Sequence, residues 1–179
     1  MLCWSKRRRL WVEAIEFMDW KKLHTDIEVF AAAHNLKVEE RNTSYAKGQL
    51  TTYRMVGNSE IFYEIRHTKP ISGYGSKIRI YSRTEQQFSI KSKYNWLGKL
   101  SLKIDGQLSD ELNTSIEELA KRIGTFSWTT ELINSEWPEA LQGKRCLKFE
   151  CKQIELATAE LERIRALHIK LLGKSTLQV

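Results

Sequence analysis

The sequence predicts an α+β domain, an antiparallel meander of about five or six strands packed on helices from the N- and C-terminal parts of the chain. Two observations carry this. Apolar residues recur at helical spacing early, in the middle and late in the chain, whereas from 36 to 104 the period falls to two. The alternating stretches are cut by short clusters of Gly, Asn, Pro and Ser, too short for the crossovers that parallel strands need.

In chain order, Asp19 is placed to cap a first helix whose apolar set is Trp20, Leu23, Ile27, Phe30, Ala31 and His34, with Asn35 as its stop. Strands are expected over 36 to 41, 50 to 56, 60 to 67, 76 to 83, 87 to 94 and 98 to 104. A second helix runs through Leu112, Ile116, Leu119, Ala120 and Ile123 to a glycine stop at Gly124. Its start is open between Ser109 and the capping-box spacings Thr114 with Glu117 and Ser115 with Glu118.

From Thr125 to Lys144, a stretch that contains Trp128, Trp137 and Pro138, the pattern is least legible, and a short helix over Thr129 to Asn134 is the expectation. "RCLKFECK" then alternates Cys146, Lys148, Glu150 and Lys152 against Leu147, Phe149 and Cys151, so a late strand over about 145 to 152 should rejoin the sheet. A last helix through Ala157, Leu161, Ile164, His168 and Leu171 ends near Gly173. Its acids Glu155, Glu160 and Glu162 come early and Lys170 and Lys174 late, as the helix dipole favours.

A chain of 179 residues with 41% hydrophobic and 28% charged side chains has enough apolar material for one core, and no repeat or low-complexity linker divides it. One domain over 18 to 179 is expected. Residues 1 to 17, with the basic run "SKRRRLW" from Ser5 to Trp11, read as an upstream extension or dispensable tail, because the Asp19 cap follows directly on Met18. If they form a helix, Leu10, Trp11, Ala14, Ile15 and Met18 share a face, but Glu13 and Glu16 oppose docking on an acidic membrane.

No apolar run is long enough to span a bilayer, and Glu13 and Glu16 interrupt the only segment placed for a signal peptide. Three cysteines, Cys3, Cys146 and Cys151, do not make a disulfide framework. A cytoplasmic protein is the expectation.

The formal charge of +7 is unevenly spread. Residues 60 to 104 hold Arg66, Lys69, Lys77, Arg79, Arg83, Lys91, Lys93, Lys99 and Lys103 against only Glu60, Glu64 and Glu85. Strand alternation puts Lys77, Arg79, Tyr81 and Arg83 on one face opposite Ile78 and Ile80. By the same rule Lys91 and Lys93 oppose Phe88, Ile90, Tyr94 and Trp96, and Lys99 and Lys103 oppose Leu100, Leu102 and Ile104. Paired as a meander, these three strands would merge their basic sides into one anion-binding surface suited to nucleic acid or another polyanion. The same pattern is also what a one-sided sheet needs as its solvated face. With Tyr81 the one ring on that face, backbone contact rather than base reading is expected.

A second reading makes the chain a protein-interaction or homodimer domain, using the apolar stripe Leu161, Ile164, Leu167, His168, Leu171 and Leu172 of the last helix. The default use of such a stripe is to cover the chain's own sheet. A third reading, a small-molecule or catalytic domain, needs a pocket near Trp128 or Trp137.

Familiar catalytic signatures fail on inspection, which leans the reading away from an enzyme. "LLGKST" has His168 where a P-loop needs glycine and follows a helix instead of a strand. Gly73 and Gly75 before Lys77 fit a hairpin turn better than an anion cradle, and "GNSEI" lacks the second glycine of a nucleophile elbow, leaving Ser59 as a turn residue. His24, His34, His67 and His168 are scattered, and Glu117 and Glu118 point about 100° apart on a helix. Cys146 and Cys151 fall on opposite strand faces, both as packing residues or with one of them exposed and inert. No metal and no cofactor is expected from these residues.

Overall fold

The computed structural model describes residues 20–45, 48–58, 60–70, 75–134, 137–153 and 157–173. The tail 1 to 17 with its basic run, the Asp19 cap, Ser59, Gly73, Glu155 and Lys174 lie outside them. The chain forms helix α1 (Trp20–Ala33), strands β1 (Lys37–Tyr45), β2 (Gly48–Val56), β3 (Ile61–Pro70), β4 (Gly75–Arg83), β5 (Ser89–Tyr94) and β6 (Leu100–Asp105). Helix α2 (Asp110–Ile123), strand β7 (Phe126–Leu132), a short 3₁₀ turn (Glu139–Leu141), strand β8 (Arg145–Gln153) and helix α3 (Thr158–Leu171) complete it.

The strands make one antiparallel sheet in the order β1-β2-β3-β4-β8-β7-β5-β6. The meander therefore runs from β1 to β4 and stops there. The expected continuation from β4 to β5 is corrected: β8 and β7 insert between them, and the β5–β6 hairpin forms the far edge. The reason is apolar density. The strand "RCLKFECK" supplies Leu147, Phe149 and Cys151 to the core, all nearly inaccessible to solvent, so β8 belongs in the sheet centre.

The helices cover one face, with α3 between α1 and α2. Leu23, Ile27 and Phe30 from α1, Ile116 and Leu119 from α2, and Leu161, Ile164 and Leu171 from α3 meet Tyr63, Ile65, Ile78, Ile80, Ile90, Trp128 and Phe149 from the sheet. Each such side chain contributes roughly 1.5–3 kcal/mol by leaving water. Polar ties fix the helix layer. Nε2 of His34 lies 2.7 and 2.8 Å from the two carboxylate oxygens of Glu162, and the Thr158 hydroxyl donates to Asp26 Oδ1 at 2.9 Å.

Local chemistry explains the ends. Asn35 adopts the left-handed conformation, φ 51°, that ends α1. Ser109 is the cap of α2, its hydroxyl accepting from Leu112 N at 3.3 Å. Thr114 and Ser115, the alternative starts, lie inside the helix and donate back to the carbonyls of Asp110 and Glu111, both at 2.9 Å. The short helix expected over Thr129 to Asn134 is not formed. Phe126 and Trp128 turn inward while Ser127 and Thr129 stay on the other side, a period of two that makes this segment β7.

A second, smaller core lies on the opposite side of the sheet. The segment after β7 folds over one end of it, seating Trp137, Ile133 and Leu141 on Phe62, Tyr81 and Cys146. Trp137 meets both Phe62 and Tyr81 edge-on at 6.0 Å, and the Arg54 guanidinium lies 5.1 Å from its ring centre.

Candidate anion-binding face

Strand register decides what the sheet's outer face looks like, because partners directly opposite one another project the same way. Glu64 on β3 stands opposite Arg54 on β2 and Arg79 on β4, and Arg79 stands opposite Glu150 on β8. Glu64 is 1% exposed. Its carboxylate pairs with Arg79 at 3.0 Å, Arg66 at 2.9 Å and Arg54 at 3.7 Å. Arg79 also donates from Nε to Glu150 at 3.0 Å, and Glu150 receives Lys77 at 3.0 Å; Lys148 then links Glu150 to Glu131 on β7. Partial burial pushes the Glu150 carboxyl upward, yet Lys77 and Arg79 outweigh it and hold the group below its usual range.

The predicted basic face thus divides in two. Lys77 and Arg79 are ion-paired in a network that sets five cations, Arg54, Arg66, Lys77, Arg79 and Lys148, against the carboxylates Glu64, Glu150 and Glu131. Tyr81, expected as a stacking ring, is 3% exposed beneath Trp137, and burial raises its hydroxyl to about 12, with Arg79 opposing and Glu64 adding. Arg83 is exposed and lies 3.6 Å from Glu85. Glu64 and Glu150 were visible in the sequence as members of the polar face of their own strands, but their position beside Arg79 depends on β8 pairing with β4.

At the β5–β6 edge the lysines have no ion-pair partner among the described residues, and the one acid of the hairpin is Asp105, opposite Ser89 at the end of β6. Lys91 stands directly opposite Lys103, Lys93 opposite Ser101, and Lys91 opposite Ser127 on β7. All these lysines and Lys99 are exposed, and among the described residues no carboxylate lies within 4.0 Å of any of the four. From Lys91 to Ile104 the chain contains no Asp or Glu.

The hairpin's tip also departs from the expected alternation. Tyr94 and Trp96, read as inward-facing, are 56% and 90% exposed, and Leu97 is 58% exposed. Trp96 belongs to the turn. Asn95 N donates to Lys99 O at 2.8 Å and Gly98 N to Asn95 O at 3.0 Å, while Asn95 Oδ1 accepts from Leu97 N and Lys99 N, both at 2.9 Å. Gly98, φ 72°, supplies the left-handed residue such a loop requires. The Asn-x-x-Gly spacing in "NWLG" was the available signal. The hairpin is held to the body where the Ser92 hydroxyl donates to Gly124 O at 2.7 Å and Tyr94 lies against Gly124.

The stripe proposed for an interaction helix is spent internally. Leu161, Ile164, Leu167, His168 and Leu171 are buried on the chain's own sheet and neighbouring helices, and Leu172 is half-buried. His168 and Ser82, 3.0 Å apart, resemble a nucleophile and base. Their setting argues otherwise. Both are buried, and the second ring nitrogen faces the Trp128 indole N–H at 3.1 Å, a donor where a catalytic histidine needs an acceptor. Cys146 and Cys151 are buried free thiols, raised by burial to about 11 and about 12.

A groove of about 560 Å³ between α2 and α3, lined by Lys121, Arg122, Arg163 and Lys170 among others, lies away from Trp128 and Trp137. A second of about 430 Å³ is lined by His24, Glu28, Glu40 and Tyr53. No group of three or more His, Cys, Asp or Glu suited to a metal ion occurs among the described residues. Nor is any described helix long and apolar enough to cross a membrane. Comparison of the chain with protein-family models, with curated proteins and with solved structures returned no match.

Proposed function

We propose that this protein is a non-catalytic binding module that holds a polyanion, in the first place a nucleic-acid backbone, on the β5–β6 end of its outer sheet face. The observation that carries the reading is Lys91 opposite Lys103 without a carboxylate within 4.0 Å of either, among the described residues. Like charges directly across a strand pair cost about 0.2–1 kcal/mol. Elsewhere on the same face the sequence relieves that cost with Glu64, Glu150 and Glu131. The hairpin keeps its positive potential, which an anionic ligand would relieve.

Lys91, Lys93, Lys99 and Lys103 are assigned the contact, with Lys77 and Arg79 demoted to scaffold. Four phosphates neutralised on a single strand give a slope of about −3 for log affinity against log salt. The test is fluorescence anisotropy of labelled nucleic acid at two salt concentrations, with wild type and the Lys91→Glu, Lys93→Glu, Lys103→Glu variant. Loss of binding and of salt dependence in the variant is expected. Equal affinity of the two proteins at low salt would sink the proposal. Reversing Lys77 and Arg79 is a poor test, because it removes partners of the buried Glu64 and of Glu150 and so mixes a stability loss with any binding loss.

A further inference from the structure

We infer that the hairpin selects single-stranded over duplex nucleic acid, with the Trp96 indole as a stacking platform for an unpaired base and the hairpin lysines following the strand's backbone. This rests on the reading above and adds to it a substrate class. At 90%, Trp96 is the most exposed of the large hydrophobic side chains described. It stands on a turn fixed by four hydrogen bonds, those of Asn95 N, Gly98 N, Leu97 N and Lys99 N, so the backbone that carries the ring is ordered before a ligand arrives.

Geometry favours a strand over a membrane as the ligand. A hairpin that enters a lipid surface end-on needs its cations around the tip. Here Lys99 lies in the turn, but Lys91 and Lys93 lie along one strand roughly 7 Å apart, on the same face as Lys103, and lead away from Trp96 instead of encircling it. Cations running along the strand pair toward a tip that exposes Trp96, with Tyr94 and Leu97 beside it, match an extended phosphate backbone with a splayed base at its end. A duplex buries its base faces, so it offers the lysines phosphates but offers Trp96 nothing to stack on without unstacking.

The experiment titrates the full chain against fluorescein-labelled oligo(dT), oligo(U) and a duplex of equal length, with acidic vesicles as a fourth ligand, for wild type, Trp96→Ala and Trp96→Phe. The expected result is tighter binding of either single strand than of duplex. Trp96→Ala should weaken single-strand binding by about tenfold or more, Trp96→Phe should retain part of it, and duplex binding and the salt slope should not change. Because the ring is exposed, both variants keep the fold, which circular dichroism checks. Equal single-strand and duplex affinities, with Trp96→Ala indistinguishable from wild type, overturn this inference and leave the polyanion reading standing. Binding to vesicles but to none of the nucleic acids overturns the inference and the nucleic-acid reading together. No salt-dependent binding to any of the four ligands overturns the inference and the polyanion reading.

Discussion

The indole N–H of Trp128 donates to Nδ1 of His168 at 3.1 Å, deep in the core between β7 and α3. An indole nitrogen can only donate, so the ring proton of His168 sits on Nε2 and is given to the Ser82 hydroxyl at 3.0 Å. One neutral tautomer satisfies both partners and ties α3 to β4 and β7. An imidazolium would face the Trp128 N–H with a second N–H. Burial pushes the His168 pKa down to about 3.

That relationship predicts a pH dependence of stability. The unfolded chain takes up a proton near pH 6.5 that the folded chain refuses until about pH 3. The stabilisation is full above pH 6.5 and is lost as pH falls toward 3, by up to about 1.4 kcal/mol per pH unit. Urea unfolding between pH 7 and pH 5, above the main carboxylate range, should show this slope. A His168→Leu variant should be flatter there, though less stable at pH 7 because Trp128 and Ser82 lose a partner.

Removing the buried anion of the outer face should be costly. Glu64→Ala leaves Arg54, Arg66 and Arg79 without their common partner, an expected loss of about 3 kcal/mol in urea unfolding. Adding Arg79→Met to it should cost less than the sum of the two single changes, because part of the penalty is the stranded guanidinium.

Trp137 packs on the outer cluster of Tyr81, Ile133, Leu141 and the buried Cys146. Trp137→Ala should lower stability by about 2 kcal/mol and open Cys146 to a thiol reagent. In a Cys3→Ser background, wild type should label slowly and the variant quickly, with Cys151 protected in both.

Gly124 ends α2 with φ 74°, and a methyl group there would meet the Tyr94 hydroxyl at 3.2 Å. Gly124→Ala should therefore lower stability by about 1–2 kcal/mol through backbone strain. It should also loosen the hairpin at Tyr94, read as faster hydrogen exchange across β5 and β6 than elsewhere in the sheet.

The periods of two and 3.6, the Ser109 cap and the Asn35 stop were all local properties, and they specified where helices and strands lie and which side of each strand is polar. They placed His168 on the apolar face of the last helix and Cys146 and Cys151 on opposite faces of their strand. Even β7, misread as a helix, carried its alternation in Phe126, Ser127, Trp128 and Thr129. Pairing order was another matter. The insertion of β8 and β7 between β4 and β5 joins residues about 70 apart, Arg79 with Glu150, and it divided one expected basic surface into an ion-paired network and a hairpin whose lysines have no ion-pair partner among the described residues. Alternation says which face a charge occupies; only the neighbour strand says whether that charge is already answered. Tyr81 and Trp96 exchanged roles for the same reason: a non-local segment covers one ring, and the other, on a hairpin turn, is left 90% exposed among the described residues.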